Sequence, residues 1–161
     1  LKDENGNVLA GKYVIILSNN KIYNKSTNTN GQVLLSVNLA VNKYTAKVSF
    51  NGDDSYKSSV CTAKVTVSKS TPKLTASAKT FKAKLKTKKV TVTLKNKNKA
   101  VQKVYVKLTI NKKTYKVKTN SKGVATFTVK LTKKGKYNAV YKFDGNSNLK
   151  SATKKVKITI K

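Results

Sequence analysis

Apolar and polar residues alternate along most of this chain. Val104, Val106, Leu108 and Ile110 are separated by Tyr105, Lys107 and Thr109. Ala125, Phe127, Val129 and Leu131 are separated by Thr126, Thr128 and Lys130. Tyr137, Ala139, Tyr141 and Phe143 share a phase, as do Val156, Ile158 and Ile160. A period of two sets one face of a strand against a core and the other in water. The β-branched and aromatic residues that fill these runs fit a pleated, half-buried surface. No stretch carries a helical stripe. The pattern predicts strands over residues 73–80, 88–95, 103–110, 114–119, 124–131, 136–143 and 153–160. Asn111-Lys112-Lys113 and Asn120-Ser121-Lys122-Gly123 predict hairpin loops, with Gly123 at positive φ.

Much of this is written twice. Asn19-Asn20-Lys21-Ile22-Tyr23 matches Asn111-Lys112-Lys113-Thr114-Tyr115, and Thr27-Asn28-Thr29-Asn30-Gly31 matches Thr119-Asn120-Ser121-Lys122-Gly123, both at an offset of 92 (115 − 23, 123 − 31). Lys43-Tyr44-Thr45-Ala46 and Phe50-Asn51-Gly52 recur as Lys136-Tyr137-Asn138-Ala139 and Phe143-Asp144-Gly145, now at 93 (143 − 50). The expectation is two domains, 1–69 and 70–161, each an antiparallel immunoglobulin-like β-sandwich in an all-β chain. Residues 70–93 have no counterpart before Leu1, so the first domain lacks its N-terminal strands. Three readings account for that: a segment cut from a tandem array, strands supplied by a partner, or a naturally shorter domain. The single proline, Pro72, marks the junction and is expected in a short stiff linker.

Composition narrows the chemistry. The chain of 161 residues has 36 lysines, no arginine, no histidine, one cysteine and five carboxylates, for a net charge of +31. There is no imidazole for base catalysis or metal ligation and no second thiol for a disulfide or a cysteine zinc site. No catalytic residue or cofactor site is identified, and an enzyme is not expected. No apolar run is long enough to span a membrane. The charge is uneven: residues 1–69 carry 9 lysines and 4 acids (+5), residues 70–161 carry 27 lysines and 1 acid (+26). One reading of the excess is an AT-rich coding bias. The other is contact with an anionic polymer, driven by counterion release. Sequence-specific nucleic-acid binding is not expected without arginine forks.

Asp3-Glu4-Asn5-Gly6-Asn7-Val8-Leu9-Ala10-Gly11-Lys12, Thr27-Asn28-Thr29-Asn30-Gly31 and Phe50-Asn51-Gly52-Asp53-Asp54-Ser55-Tyr56 carry a resemblance. In this order they resemble bacterial Ig-like repeat domains, and the lysine-laden form looks like the repeats of adhesin-like cell-surface proteins of methanogenic archaea. The resemblance implies an extracellular stalk or adhesive module at the cell surface or wall. Its implied partners are an anionic wall polymer or surface glycan and other repeats of the same protein, with head-to-tail or donor-strand assembly as the alternative.

Four candidate features follow. The densest basic stretch places Lys82, Lys84, Lys86, Lys88, Lys89, Lys95 and Lys97 as polyanion contacts, set against the use of strand lysines to discourage edge pairing. If the strands run up and down, Asp3, Glu4, Asp53 and Asp54 fall at one end and would suit Ca²⁺, which takes several hard oxygen ligands. Cys61 shares a phase with Ala63, Val65 and Val67 and is expected on a buried face. The recurring aromatics Tyr23/Tyr115, Tyr44/Tyr137 and Phe50/Phe143 are expected in the core and at sheet corners. A Lys–Asn isopeptide crosslink would have only Asp144 to assist it in the second copy.

Overall fold

The structure, a computed structural model, describes all 161 residues and contains strands and no helices. Backbone contacts divide it into two compact units, Leu1–Ser68 and Lys69–Lys161.

The second unit is a complete immunoglobulin-like sandwich. Its strands are β5 (Lys73–Thr75), β6 (Lys79–Phe81), β7 (Lys88–Asn96), β8 (Lys99–Ala100), β9 (Tyr105–Ile110), β10 (Lys113–Lys118), β11 (Val124–Val129), β12 (Gly135–Phe143) and β13 (Ala152–Ile160). One sheet runs β10-β9-β12-β13-β6, and the other runs β11-β7-β5 with β8 against β7. The inward phases predicted for β9, β11, β12 and β13 meet between the sheets. Val106, Leu108, Ile110, Ala139, Tyr141, Ile158 and Ile160 pack against Leu74, Val90, Val92, Leu94, Phe127 and Val129. Phe127 and Tyr141 touch across this layer, ring centroids 5.8 Å apart and inclined at 58°. At a tyrosine corner, the Tyr137 hydroxyl donates to the Lys133 carbonyl four residues upstream, 2.8 Å away. Tyr137→Phe is expected to cost about 1 kcal/mol of unfolding free energy in a urea titration, the worth of one such bond.

Several local expectations change. The run predicted over 73–80 splits into β5, which pairs with β7, and β6, which crosses to pair in parallel with β13. Ala76-Ser77-Ala78 carries the chain between the sheets. The strands do not run up and down. β10 and β11 lie in different sheets, so Asn120–Gly123 is a crossover turn and not a hairpin loop. The Asn120 side-chain oxygen accepts from the amides of Lys122 and Val124, and Gly123 sits at φ 73°. A Cβ there would lie 2.5 Å from the Leu94 carbonyl oxygen, so only glycine lets the backbones approach. Asn111 and Lys112 do form a two-residue hairpin turn, both at positive φ. Pro72 is not in a free linker: it is buried in this unit, and Ser70 exchanges backbone hydrogen bonds with Asn148 and Lys150.

The first unit repeats one sheet of this design. β1 (Tyr13–Ser18), β2 (Lys21–Ser26), β3 (Asn42–Phe50) and β4 (Ser59–Val67) pair in the order β2-β1-β3-β4, matching β10-β9-β12-β13. The tyrosine corner recurs, with the Tyr44 hydroxyl on the Ala40 carbonyl at 2.9 Å. No second sheet covers this one. Residues 32–40, the counterpart of β11, form no strand. The buried cluster shrinks to Val14, Ile16 and Phe50, with Leu1, Tyr23, Val33, Leu35, Val48 and Tyr56 packed loosely against it.

Candidate functional site: a basic sheet face

The outward residues of the second unit's larger sheet are lysines in cross-strand rows. Alternation turns Val106, Leu108 and Ile110 inward on β9, and so turns Lys107 outward. On β12 the inward set Ala139, Tyr141 and Phe143 leaves Lys136 and Lys142 outside. Register then lines the strands up. Lys116 lies opposite Lys107, and Lys107 opposite Lys142, so three ammonium groups cross three strands in one row. Lys118 on β10, Lys136 on β12, and Lys155 and Lys157 on β13 extend the face on either side. Adjacent strands are about 4.8 Å apart and alternate residues along a strand about 6.8 Å apart, so the face is a closely spaced array of cations.

Like charges placed opposite one another are unfavourable. Two devices soften the repulsion. Asp144, the single acid of this unit, bridges Lys107 at 2.7 Å and Lys142 at 3.1 Å. Hydrogen bonds from Lys107 and then Lys142 hold its carboxyl below the usual carboxylate range. Its charge is therefore present above that range and lost only as the pH falls through the lowered value. The half-exposed Tyr105 ring lies under Lys116 and Lys118, whose Nζ atoms are 4.2 and 5.0 Å from its centroid. One carboxylate and one aromatic ring do not neutralise seven lysines, and the face stays strongly positive.

The basic stretch singled out in the sequence is distributed differently. Lys82, Lys84 and Lys86 are exposed in the loop before β7. Lys89 and Lys95 are exposed near opposite ends of β7, and Lys97 is in the turn beyond it. A strand of nine residues spans about 26 Å, so these lysines do not form one patch. Lys88 is not a surface contact: its side chain is 1% exposed and its ammonium donates to the carbonyls of Leu85 at 2.6 Å and Ala83 at 3.3 Å. It clasps the preceding loop, and neither partner is an amide side chain.

The four acids of the first unit do not converge. No group of three or more potential ligands comes together anywhere in the chain. The Asp3 and Ser55–Ser59 loops border a common cavity of about 550 Å³, but Asp53 and Asp54 do not line it. Asp3 caps its own turn, accepting from the Asn7 side chain and from the backbone amides of Asn7 and Asn5. Asp53 pairs with Lys12 at 2.5 Å and accepts from the amides of Ser55 and Tyr56. Those hydrogen bonds, the Asn7 and Lys12 ones foremost, hold both carboxyls below their ordinary values. This is turn chemistry, and these carboxylates are not gathered around a common point where a cation could sit. Cys61 is exposed: its phase on β4 is the expected one, but no second sheet covers that phase in this unit.

Tyr141 is the ionisable group most changed by the fold. Burial pushes its phenol up from about 10 to about 12. The sign follows from the unfolded chain losing that proton first. Stability is unaffected by Tyr141 below pH about 10 and falls as pH rises from about 10 toward 12. Absorbance titration of the phenolate band should show one tyrosine whose ionisation is delayed to about pH 12.

No protein-family model matches the chain, and no curated protein matches it. Among solved structures, invasin, a bacterial integrin-binding protein, aligns over 99% of this chain at 18% identity and a TM-score of 0.52. A Ca²⁺-stabilised adhesin that helps an Antarctic bacterium reach out and bind ice aligns over 97% at 17% identity and a TM-score of 0.38. A 1.5-MDa bacterial ice-binding adhesin, concerned with retention on the host cell surface, aligns over 96% at 14% identity and a TM-score of 0.40. The chain spans 34%, 42% and 55% of invasin, the Antarctic adhesin and the 1.5-MDa adhesin respectively. At that identity the invasin likeness speaks to the fold alone, which is all-β and Ig-like.

Proposed function

We propose that this chain is a non-enzymatic, adhesin-like module of a cell-surface protein, and that the outer sheet face of its second unit binds an anionic wall polysaccharide. The observation that carries the polymer reading is a difference between the two copies. Seven outward lysines of the second unit, Lys107, Lys116, Lys118, Lys136, Lys142, Lys155 and Lys157, stand where the first unit has Ile15, Asn24, Ser26, Lys43, Ser49, Thr62 and Lys64. Both copies come from one gene. A coding bias toward lysine would act on both, yet five of the seven positions are lysine in one copy only.

The module reading rests on the repeat itself. Two copies of one sheet design, with side chains suited to packing and few suited to chemistry, serve to extend and to present. The surface location, and the kinship with methanogen adhesin-like repeats, follow from the resemblance in the turn sequences. The fold shared with invasin is consistent with both.

Retention on immobilised polygalacturonate, a linear polycarboxylate glycan, tests the polymer reading. Binding should be absent on neutral dextran. On the anionic matrix it should fall steeply with salt, by about 0.7–0.9 logarithmic units per tenfold salt for each lysine engaged, if glycan counterions behave like those of nucleic acids. Retention that does not respond to salt, or that is equal on dextran, would leave a spacer without a polymer-binding face.

A further inference from the structure

One edge of the second unit's smaller sheet is undefended. β11 ends that sheet and pairs on one side only, with β7. The phase of its hydrogen bonds follows from its first residues. The Leu94 amide donates to the Gly123 carbonyl at 2.8 Å, so Gly123, and with it Ala125, Phe127 and Val129, turns its backbone groups toward β7. Val124, Thr126 and Thr128 turn theirs the other way. Val124 is satisfied within the turn: its amide donates to the Asn120 side-chain oxygen at 3.0 Å, and its carbonyl accepts from the Asn120 amide at 2.9 Å. Thr126 and Thr128 are exposed, and their amides and carbonyls have no partner in the chain.

The other terminal strands of this unit's two sheets are short or carry lysine. β10 has Lys113, Lys116 and Lys118, while β5 and β6 are three residues long and begin at Lys73 and Lys79. Shortness and lysine are the usual means of keeping a sheet edge from pairing. β11 has six residues and no charge among them.

We propose that the β11 edge accepts an extended acidic segment of another polypeptide, which adds a strand beside Thr126 and Thr128. Backbone hydrogen bonds to the two outward-facing residues fix the strand, as in other strand additions. The surrounding charge selects its chemistry. Lys122 and Lys130 flank β11, Lys89 lies opposite Thr128 across the ladder, and all three are exposed. The one carboxylate of the unit, Asp144, is engaged by Lys107 and Lys142, so no acid of the unit itself competes for these lysines. A second copy pairing β11 with β11 would bring the same lysines together and be repelled. The edge is separate from the polymer-binding face, whose lysines stand on the other sheet.

The test uses the whole protein and a short synthetic peptide in which valine alternates with glutamate. Exchange of the Thr126 and Thr128 amides, read by nuclear magnetic resonance, should be fast in the free protein and slow at least about tenfold on adding the peptide, as expected when exposed amides join a ladder. The same peptide N-methylated throughout its backbone should have no effect, and neither should a version with lysine in place of glutamate. Thr126→Pro removes an outward donor without breaking the ladder to β7. It should abolish the slowing at Thr128 while leaving the unfolding transition of the second unit in place. Unchanged exchange at about 1 mM peptide, where even a weak complex forms, would overturn the proposal. Equal slowing by the N-methylated peptide would remove strand addition, and equal slowing by the lysine peptide would remove the acidic partner. Protection of Thr126 and Thr128 that grows with protein concentration, without peptide, would also overturn it, because the occupant would then be a second copy.

Discussion

Phe127→Ala is expected to destabilise the second unit by about 3–5 kcal/mol, the usual cost of removing a buried phenyl ring. Leu35→Ala, at the matching position of the first unit, is expected to cost under about 1 kcal/mol, as for a substitution outside a packed core. The two residues share a phase, a turn and a place in the repeat. They differ in what lies opposite. Phe127 is 0% exposed and packs on Tyr141 from the facing sheet. Leu35 lies at the rim of a small cluster that no second sheet covers. Urea unfolding followed by circular dichroism, with the two transitions assigned by residue-resolved exchange, measures both changes. Similar penalties at the two sites would mean that the first unit has a core as complete as the second.

Neutralising the central row of the basic face should give the largest functional effect. In Lys107→Gln/Lys116→Gln/Lys142→Gln the slope of log affinity against log salt for polygalacturonate should fall by about two to three units, the contribution of three engaged cations. Stability should stay near that of the unmodified protein, because the relief of opposed like charges is offset by the loss of both exposed ion pairs to Asp144. A control triple, Lys82→Gln/Lys84→Gln/Lys86→Gln, removes equal charge from the loop before β7. If the control weakens binding as much as the row variant, the polymer responds to net charge and the sheet face has no special role.

The fold was largely legible because alternation is a strong signal when one strand face is buried. The phases of β9, β11, β12 and β13 emerge from single runs such as Val106-Lys107-Leu108-Thr109-Ile110. Connectivity was less legible. Nothing in Asn120-Ser121-Lys122-Gly123 distinguishes a turn joining paired strands from one that crosses between sheets, since both need the same capping and the same positive φ. The splitting of the 73–80 run was also hidden, because a strand changing partners keeps its alternation. Burial that depends on a missing neighbour could not be read from phase alone, and Cys61 is the example.

The basic face was missed for a related reason. Counting along the chain favours Lys82 through Lys97, where lysines are adjacent in sequence. A sheet gathers residues across strands, and Lys107, Lys116 and Lys142 come together only through register. The available signal was the comparison of the two copies at outward positions, where lysine replaces isoleucine, asparagine and serine. Lys88 shows the reverse error, since a lysine in the inward phase of a strand is better read as a buried clasp on nearby carbonyls.

The most direct test of the account is residue-resolved amide hydrogen exchange on the unmodified protein, comparing residues 124–129 with residues 32–37. The account predicts that the amides of β11 facing β7 exchange only through global unfolding of the second unit, while those of 32–37 exchange close to the rate of an open chain. Equal, strong protection of both segments in a monomer would contradict it, because the first unit would then possess the second sheet that this structure denies it.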